Sequence, residues 1–208
     1  AMSRSRFMDA KTRSALAEAA LAYAKEHGWA GVRIDQLAQL AGRPVADFHP
    51  AAPSDAWDAI EEQFDRELAN ASLPDAPEAR ERLFELCMRR FEAMEPHRAA
   101  LAAIQRDEFL ARGWAIAASL RTAHWILGLA GLADGAFGAL RTGPMAALLM
   151  RARLAWEKDT EGDFARTLVS LDRDLRRAEE AQQDLDRLSA WLRGQSPRRP
   201  DGQAQDGA

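Results

Sequence analysis

The segment that most constrains the fold is residues 34–57, IDQLAQLAGRPVADFHPAAPSDAW. Its first half has apolar residues at helical spacing, at Ile34, Leu37, Ala38 and Ala41. Gly42 follows the last of them, and Pro44 stands where a new helix would have its first residue. The pattern predicts a helix-turn-helix, the scaffold that presents its second helix to the DNA major groove.

The second helix of this motif must be very short. Pro50 lacks a backbone donor and keeps His49 out of helical angles, so at most residues 44–49 can form it. Val45 and Phe48 are spaced to pack inward. We expect the outward positions to be Arg43, Ala46, Asp47 and His49.

The flanking sequence completes a small helical unit. Residues 10–27 predict a first helix that ends at Gly28, and Trp29 is expected to plug the space beneath it. Ser54 has the character of an N-cap for a further helix that reaches residue 70. The linker ASLPDAP, residues 71–77, holds two prolines and predicts a domain boundary.

Beyond the linker the periodicity is helical throughout, with no alternating strand pattern. We predict helices over residues 78–94, 97–110, 113–129, 137–157 and 162–193, with Gly143–Pro144 as a kink or break. The tail GQSPRRPDGQAQDGA lacks apolar residues and is expected to be disordered. The domains would be 1–70, 71–193 and a tail of 194–208, in an all-α chain.

Composition limits the class of protein. The chain has 208 residues, of which 47% are apolar and 29% charged, enough for a sizeable core in a soluble protein. No run has membrane-spanning length and no leader is evident, so a cytoplasmic location without membrane contact is expected. The single cysteine, Cys87, lies in a helical apolar pattern and should be a buried filler.

Charge is unevenly distributed. The net charge of −4 argues against coating nucleic acid by bulk attraction. Within the first thirteen residues, however, four basic residues face one acid. Such an arm suits phosphate contact, although a short charged terminus is more often simply solvated.

The second half of the chain offers a ligand pocket as a weaker hypothesis. Bulky, adaptable apolar residues with two polar anchors would line it: Met94, Ile104, Trp114, Trp125, Met145 and Met150, with Arg121 and His124. The alternative is that these residues fill a helical core. A cavity with this lining would take an apolar or aromatic ligand.

The last two predicted helices carry apolar stripes flanked by charge. Their members are Leu148, Ala152, Trp156, Phe164, Leu168, Leu171 and Leu175. Two such helices from each subunit can close a four-helix bundle in an isologous contact. We therefore expect a homodimer.

No catalytic constellation is found. The four histidines, His27, His49, His97 and His124, lack the paired spacing of a metal-binding helix, and no nucleophile elbow is present. The glycines between residues 128 and 138 follow no strand, so they do not form a phosphate loop. We expect no enzyme activity, no cofactor and no metal.

Several of these segments together resemble the TetR family of bacterial transcriptional regulators. They are ALAEAALAYAKEHGW, IDQLAQLAG, the pair Phe48-His49 and the capped helix after Pro53, followed by RERLFELCMRRFEAMEPHRAAL and DFARTLVSLDRDLRRAE. The resemblance covers about residues 10–180. It implies an N-terminal DNA-binding unit, a dimer formed by the last two helices, and an apolar pocket whose occupant loosens the grip on a palindromic operator.

On matching positions, the resemblance and the basic arm together assign DNA contact to eleven residues: Arg4, Arg6, Arg13, Arg33, Arg43, Pro44, Val45, Ala46, Asp47, His49 and Ser54. Three positions differ from the family pattern. Ala52 stands where an aromatic residue is usual, Asp55 replaces a lysine near the helix cap, and His49 replaces a tyrosine.

A second resemblance is to the ubiquinone-biosynthesis lipid-binding proteins that use the same fold. It lies in the segment WEKDTEGDFARTLVSLDRDLRRAE. That resemblance implies an alternative function: a protein that does not bind DNA and instead binds a lipid or isoprenoid, or acts as an interaction adaptor.

Overall fold

A computed structural model describes residues 8–70, 72–107, 111–133 and 138–194. The regular secondary structure of these residues is entirely helical, as predicted. These described ranges contain eight α-helices: α1 (Ala10–His27), α2 (Ile34–Leu40), α3 (Ala56–Asn70), α4 (Ala79–Met94), α5 (Arg98–Asp107), α6 (Ala111–Leu129), α7 (Gly138–Glu157) and α8 (Ala165–Gly194). Short 3₁₀ turns occur at Val45–Phe48, Pro53–Asp55 and Glu95–His97.

Helix α1 has the predicted bounds for identifiable reasons. The Asp9 carboxylate accepts the Thr12 N–H at 2.7 Å, which caps the first turn. At the other end Gly28 has a φ of +76°, and its N–H is donated to the Ala24 carbonyl at 3.1 Å. Trp29 is buried directly beyond, as expected.

Two predicted boundaries are wrong. Ser54 lies inside the 3₁₀ turn and does not cap α3; the Asp55 carboxylate instead accepts the Ala52 N–H at 2.8 Å. The last helix begins at Ala165 and not at residue 162. The buried Asp159 carboxylate accepts the backbone N–H and the hydroxyl of Thr167, both at 3.1 Å, and so fixes the loop before that first turn.

Helix α7 passes through Pro144 without interruption. The alternative of a break at Gly143–Pro144 is therefore wrong. Helix α7 packs between α6 and α8, and together these helices form the C-terminal half of the described chain.

The hydrophobic core is one contiguous cluster that runs from Met8 to Leu175. Helix α1 packs against α3 and α5, and α3 packs against α4 and α6. Residues on both sides of the proline-containing linker therefore share the same interior. Cys87 is buried within it, as predicted. The predicted disordered tail lies, apart from Gly194, outside the described residues.

Candidate nucleic-acid interface

The candidate interface is the turn between α2 and α3. Gly42 has a φ of +62° and reverses the chain, and the Arg43 N–H returns to the Ala38 carbonyl at 3.0 Å. Pro44 then leads into the 3₁₀ turn Val45–Phe48, where the Asp47 N–H is donated to the Pro44 carbonyl at 3.0 Å. The second helix of the motif is thus a single turn, within the predicted limit.

Phe48 holds this turn on the protein body. Its side chain is fully buried, whereas Pro44, Ala46, Asp47 and His49 are exposed. Val45 was expected to pack inward, but 49% of it is exposed. Residues i and i+3 of a 3₁₀ turn lie one above the other, so the geometry of the turn does not separate Val45 from Phe48. Val45 opens the turn next to exposed Pro44, whereas Phe48 closes it inside the core.

The arginines around the turn are each paired with a carboxylate. Arg33 donates from Nε to Asp35 at 2.9 Å and also from Nη2 to the same group. Arg43 donates from Nε to Asp47 at 3.2 Å. The two pairings differ. Arg33 donates from Nε and Nη2, whereas Arg43 donates from Nε and its two Nη groups have no partner among the described residues.

Arg13 lies at the start of α1. Its Nη1 donates to the Met8 carbonyl, and its Nε is 3.1 Å from the Glu62 carboxylate on α3. Arg4 and Arg6 lie outside the described residues, so the basic arm is represented only by its last two basic members, Lys11 and Arg13. Ser54 is half-buried beside the turn.

The overall charge of this region is negative. Residues 8–70 contain six lysines and arginines against eleven aspartates and glutamates, a balance of −5. Most of the acids lie on α3 and just before it, at Asp55, Asp58, Glu61, Glu62, Asp65 and Glu67. Phosphate contact would therefore depend on individual cations and not on a general positive potential.

The predicted pocket residues whose side chains the structure describes do not meet in either of its two described cavities. Met94, Ile104 and Met145 are buried in the core, and Met150 is half-buried. The Trp114 side chain lies outside the described part of the chain. None of the predicted residues lines either of two cavities that the described chain contains, of about 360 Å³ and about 20 Å³.

One predicted polar anchor pairs with another helix, and the other lies on the surface. Arg121 Nη2 donates to Asp58 on α3 at 3.1 Å, and His124 is exposed. Trp125 is 42% exposed, and its indole N–H is donated to the Asp65 carbonyl at 3.0 Å. Arg121 and Trp125 thus connect α6 to α3, which is a structural role.

Most of the residues predicted for the dimer interface do not have side chains that could reach a second copy. Five of them are buried within the protomer: Leu148, Ala152, Trp156, Leu171 and Leu175. Phe164 is half-buried, and Leu168 is 36% exposed. A side chain that its own chain already covers adds no area to a contact with a second copy, so these five are core residues. Among the side chains of these two helices that the structure describes, the large exposed apolar ones are Leu140, Leu154, Leu168 and Val169.

A buried charge cluster joins α3, α4, α6 and α7, and the sequence analysis missed it. Arg90 on α4 donates to Glu61 and, at 3.1 Å, to Asp65, both on α3. Arg153 on α7 donates to Glu61 at 2.8 Å, and the Thr122 hydroxyl on α6 is 3.0 Å from both oxygens of Asp65. Arg90, Glu61 and Asp65 are buried.

The two carboxyl groups of this cluster have opposite pKa shifts. Burial alone would raise the pKa of Glu61, but the Arg90 and Arg153 guanidinium groups outweigh it and lower the pKa to about 2. Burial raises the pKa of Asp65, and the neighbouring Glu61 charge adds to that rise against the opposing effect of Arg90. A signal was available in the sequence, because Glu61 and Asp65 share the apolar face of α3 with Trp57, Phe64 and Leu68.

Other classes of site were sought in the described ranges. No three or more histidine, cysteine, aspartate or glutamate side chains there are arranged to hold a metal ion. Within the same ranges, none of the helices combines the length and the apolarity needed to cross a bilayer. No protein-family model matches the chain, and no curated protein matches it significantly.

Proposed function

We propose that this chain is a TetR-like DNA-binding transcriptional regulator that acts as a repressor under the control of a small apolar ligand. The observation that carries the proposal is the exposed turn after Gly42. There a buried Phe48 anchors a single turn whose neighbouring Arg43 keeps both Nη groups available.

The proposed contact to bases centres on Arg43. Two Nη donors held in one plane match the O6 and N7 acceptors of guanine in the major groove. Asp47 holds the guanidinium through Nε at 3.2 Å, which would limit the rotamer freedom lost on binding. Exposed Val45 offers methyl groups to a thymine methyl, and His49 lies at the end of the same turn.

A second copy is part of the proposal, since a single turn reads too few base pairs for a specific site. The exposed face of α7 supplies the surface. Leu140, Pro144, Ala147 and Leu154 are spaced so that they fall on one side of the helix, and all four are exposed. A two-fold dimer would place two turns on successive major grooves, about 34 Å apart, as a palindromic operator requires.

The test is DNA binding by the full chain, measured by fluorescence anisotropy. Labelled fragments from upstream of the chain's own gene would be titrated at several salt concentrations. We expect binding that weakens with salt and an affinity about tenfold or more lower for Arg43→Ala, the cost of one bidentate base contact. Lys158→Ala removes an exposed positive charge beyond α7 and is the matched control. Absence of binding at the lowest salt, or equal losses for both variants, would contradict the proposal.

The negative charge of residues 8–70 favours a second candidate. A region with a balance of −5 suits a TetR-fold protein that does not bind DNA. Such a protein would bind a lipid or isoprenoid of quinone biosynthesis, or act as an adaptor. Native mass spectrometry of the purified chain distinguishes the two candidates, because a retained lipid together with no DNA binding would establish the second.

A further inference from the structure

The outer surface of α6 is unusual for a chain in which 29% of the residues are charged. Among the side chains of α6 that the structure describes, those that are exposed include no aspartate, glutamate, lysine or arginine. They are Ile116, Ala117, Leu120, His124, Trp125 and Gly128. Ile116 and Leu120 are 49% and 42% exposed, so large apolar side chains of this helix face water.

Helix α7 has an outer surface of the same kind. Between residues 140 and 154 the exposed side chains that the structure describes are apolar or small, with one arginine among them: Leu140, Gly143, Pro144, Ala147, Arg151 and Leu154. Leu140 is 68% exposed and Leu154 is 56% exposed. Arg151 donates from Nε to Asp174 on α8 at 2.7 Å, so this charge lies at the edge of the surface that is nearest to α8.

The exposed sides of α6 and α7 adjoin each other. Thr122 of α6 and Arg153 of α7 line the same cavity of about 20 Å³, together with residues of α3 and α4, so this cavity marks the inner side of both helices. With 3.6 residues per turn, Leu120 lies opposite Thr122, and Pro144 lies opposite Arg153. Because α6 and α7 pack side by side, their outer sides form one continuous apolar surface.

The outer side of α8 has a different character. Between residues 165 and 180 its exposed residues include four arginines and two glutamates: Arg166, Arg173, Arg176, Arg177, Glu179 and Glu180. Val169 is 68% exposed, but Arg166 and Arg173 lie one turn to either side of it. In an isologous contact the same patch meets itself, so these arginines would face arginines of the second copy. Like charges placed together oppose association.

We propose that α6 and α7 form the contact with a second copy of this chain, in place of the last two helices that the family resemblance implies. An uncharged surface can meet itself across a two-fold axis without repulsion. Each helix is about 10 Å wide and about 20 Å long in this region, which gives a flat area of about 400 Å². That area suits the apolar centre of an interface whose standard size is about 800 Å² per partner.

This inference rests on the second copy in the proposed function and specifies where that copy binds. The test is sedimentation velocity of the full chain over a series of concentrations, without DNA. We expect the unmodified chain to dimerise, and Leu120→Glu to raise the dissociation constant of the dimer about tenfold or more, since it places a charge in the centre of the contact. Val169→Glu is the matched control, because it puts the same charge at an exposed apolar position of α8 and should leave the dissociation constant unchanged. Circular dichroism checks that both variants are folded.

A second measurement does not depend on a charged variant. Ala117→Cys and Ala178→Cys place a thiol at exposed positions of α6 and α8, and the native Cys87 is buried. We expect a maleimide to react with the thiol on α6 more slowly above the dissociation constant of the dimer than below it. The thiol on α8 should react at the same rate in both conditions.

Two outcomes would overturn the proposal, and they differ in what they mean for the proposed function. A chain that stays monomeric at all concentrations would also remove the second copy from the proposed function. A dimer that Val169→Glu dissociates and Leu120→Glu does not, with protection of the thiol on α8 alone, would reject the contact through α6 and leave the proposed function standing.

Discussion

Arginine and carboxylate pairs occur in two regions of this protein, and their surroundings give them different properties. Arg90 and Glu61 meet in the core, where their side chains are 7% and 3% exposed. Arg33 and Asp35 meet at the start of α2, where the side chains are 65% and 52% exposed. The chemical groups are the same, but only the second pair remains accessible to water and salt.

The difference determines what each pair can do. A buried charge that loses its partner keeps its desolvation penalty, so the core pair has to stay together. An exposed pair contributes little to stability and exchanges partners readily. Arg33 and Arg43, around the turn between α2 and α3, can therefore exchange their carboxylates for another anion at small cost, whereas Arg90 and Arg153 are held between helices.

The largest effect is expected from breaking the core pair. Arg90→Met keeps an unbranched apolar stem but removes the guanidinium group that Glu61 and Asp65 share. We expect the free energy of unfolding to fall by about 3–5 kcal/mol, because two buried carboxylates lose their hydrogen-bonded cation. Urea unfolding followed by circular dichroism measures this loss. A loss below about 1 kcal/mol would mean that water already solvates the cluster.

An intermediate effect is expected from acid. The pKa of Glu61 is lowered to about 2 from its ordinary value of 4.5, so its stabilising contribution is complete above pH 4.5 and is lost as the pH falls toward 2. The loss is on the order of 3 kcal/mol, and protonation of Asp65, whose pKa is raised, offsets part of it.

Glu61→Gln should flatten this acid dependence, since the variant has no charge to lose at that position. Urea unfolding at pH 6 and pH 3 provides the comparison. Asp75→Asn, on the exposed linker, is the control and should retain the slope of the unmodified chain. If Glu61→Gln kept the full slope, the acid sensitivity would belong to other carboxyl groups.

The smallest effect on stability is expected from the exposed pair. Arg33→Met removes a side chain that is 65% exposed, and the urea midpoint should not change measurably. The same substitution matches Arg90→Met in chemistry, so the two variants together isolate the effect of burial. If Arg33→Met lowered the urea midpoint as much as Arg90→Met, burial would not explain the difference between the two pairs.

Local features of the fold were predictable because they depend on neighbouring residues. Gly28 ends α1 and Phe48 anchors a turn that Pro50 keeps short, and both follow from backbone and periodicity rules. Trp29 and Cys87 were recognised as core residues for the same reason. Ser54 was misassigned because Asp55, one residue later, makes the hydrogen bond that a cap would make.

Features that depend on the packing of distant segments were not predictable in this way. Apolar periodicity predicts that Leu148 and Leu171 are buried. It does not show whether the residues packed against them belong to the same chain or to a second copy. The cavity of about 360 Å³ between α5 and the C-terminal end of α7 exists only because of how these two helices pack. The partners of Glu61 and Asp65, Arg90 and Arg153, are distant in sequence, so their pairing depends on how α3 packs against α4 and α7.

The continuous core has a consequence for how this protein can be divided. Ile60 and Phe64 of α3 are completely buried, and the helices that cover α3 include α4 and α6. A fragment cut at the linker would leave that face bare to water, where it would favour aggregation. The unit formed by α1, α2 and α3 therefore cannot be moved into another protein by itself. A chimera would need surfaces on the other protein that match those of α4 and α6.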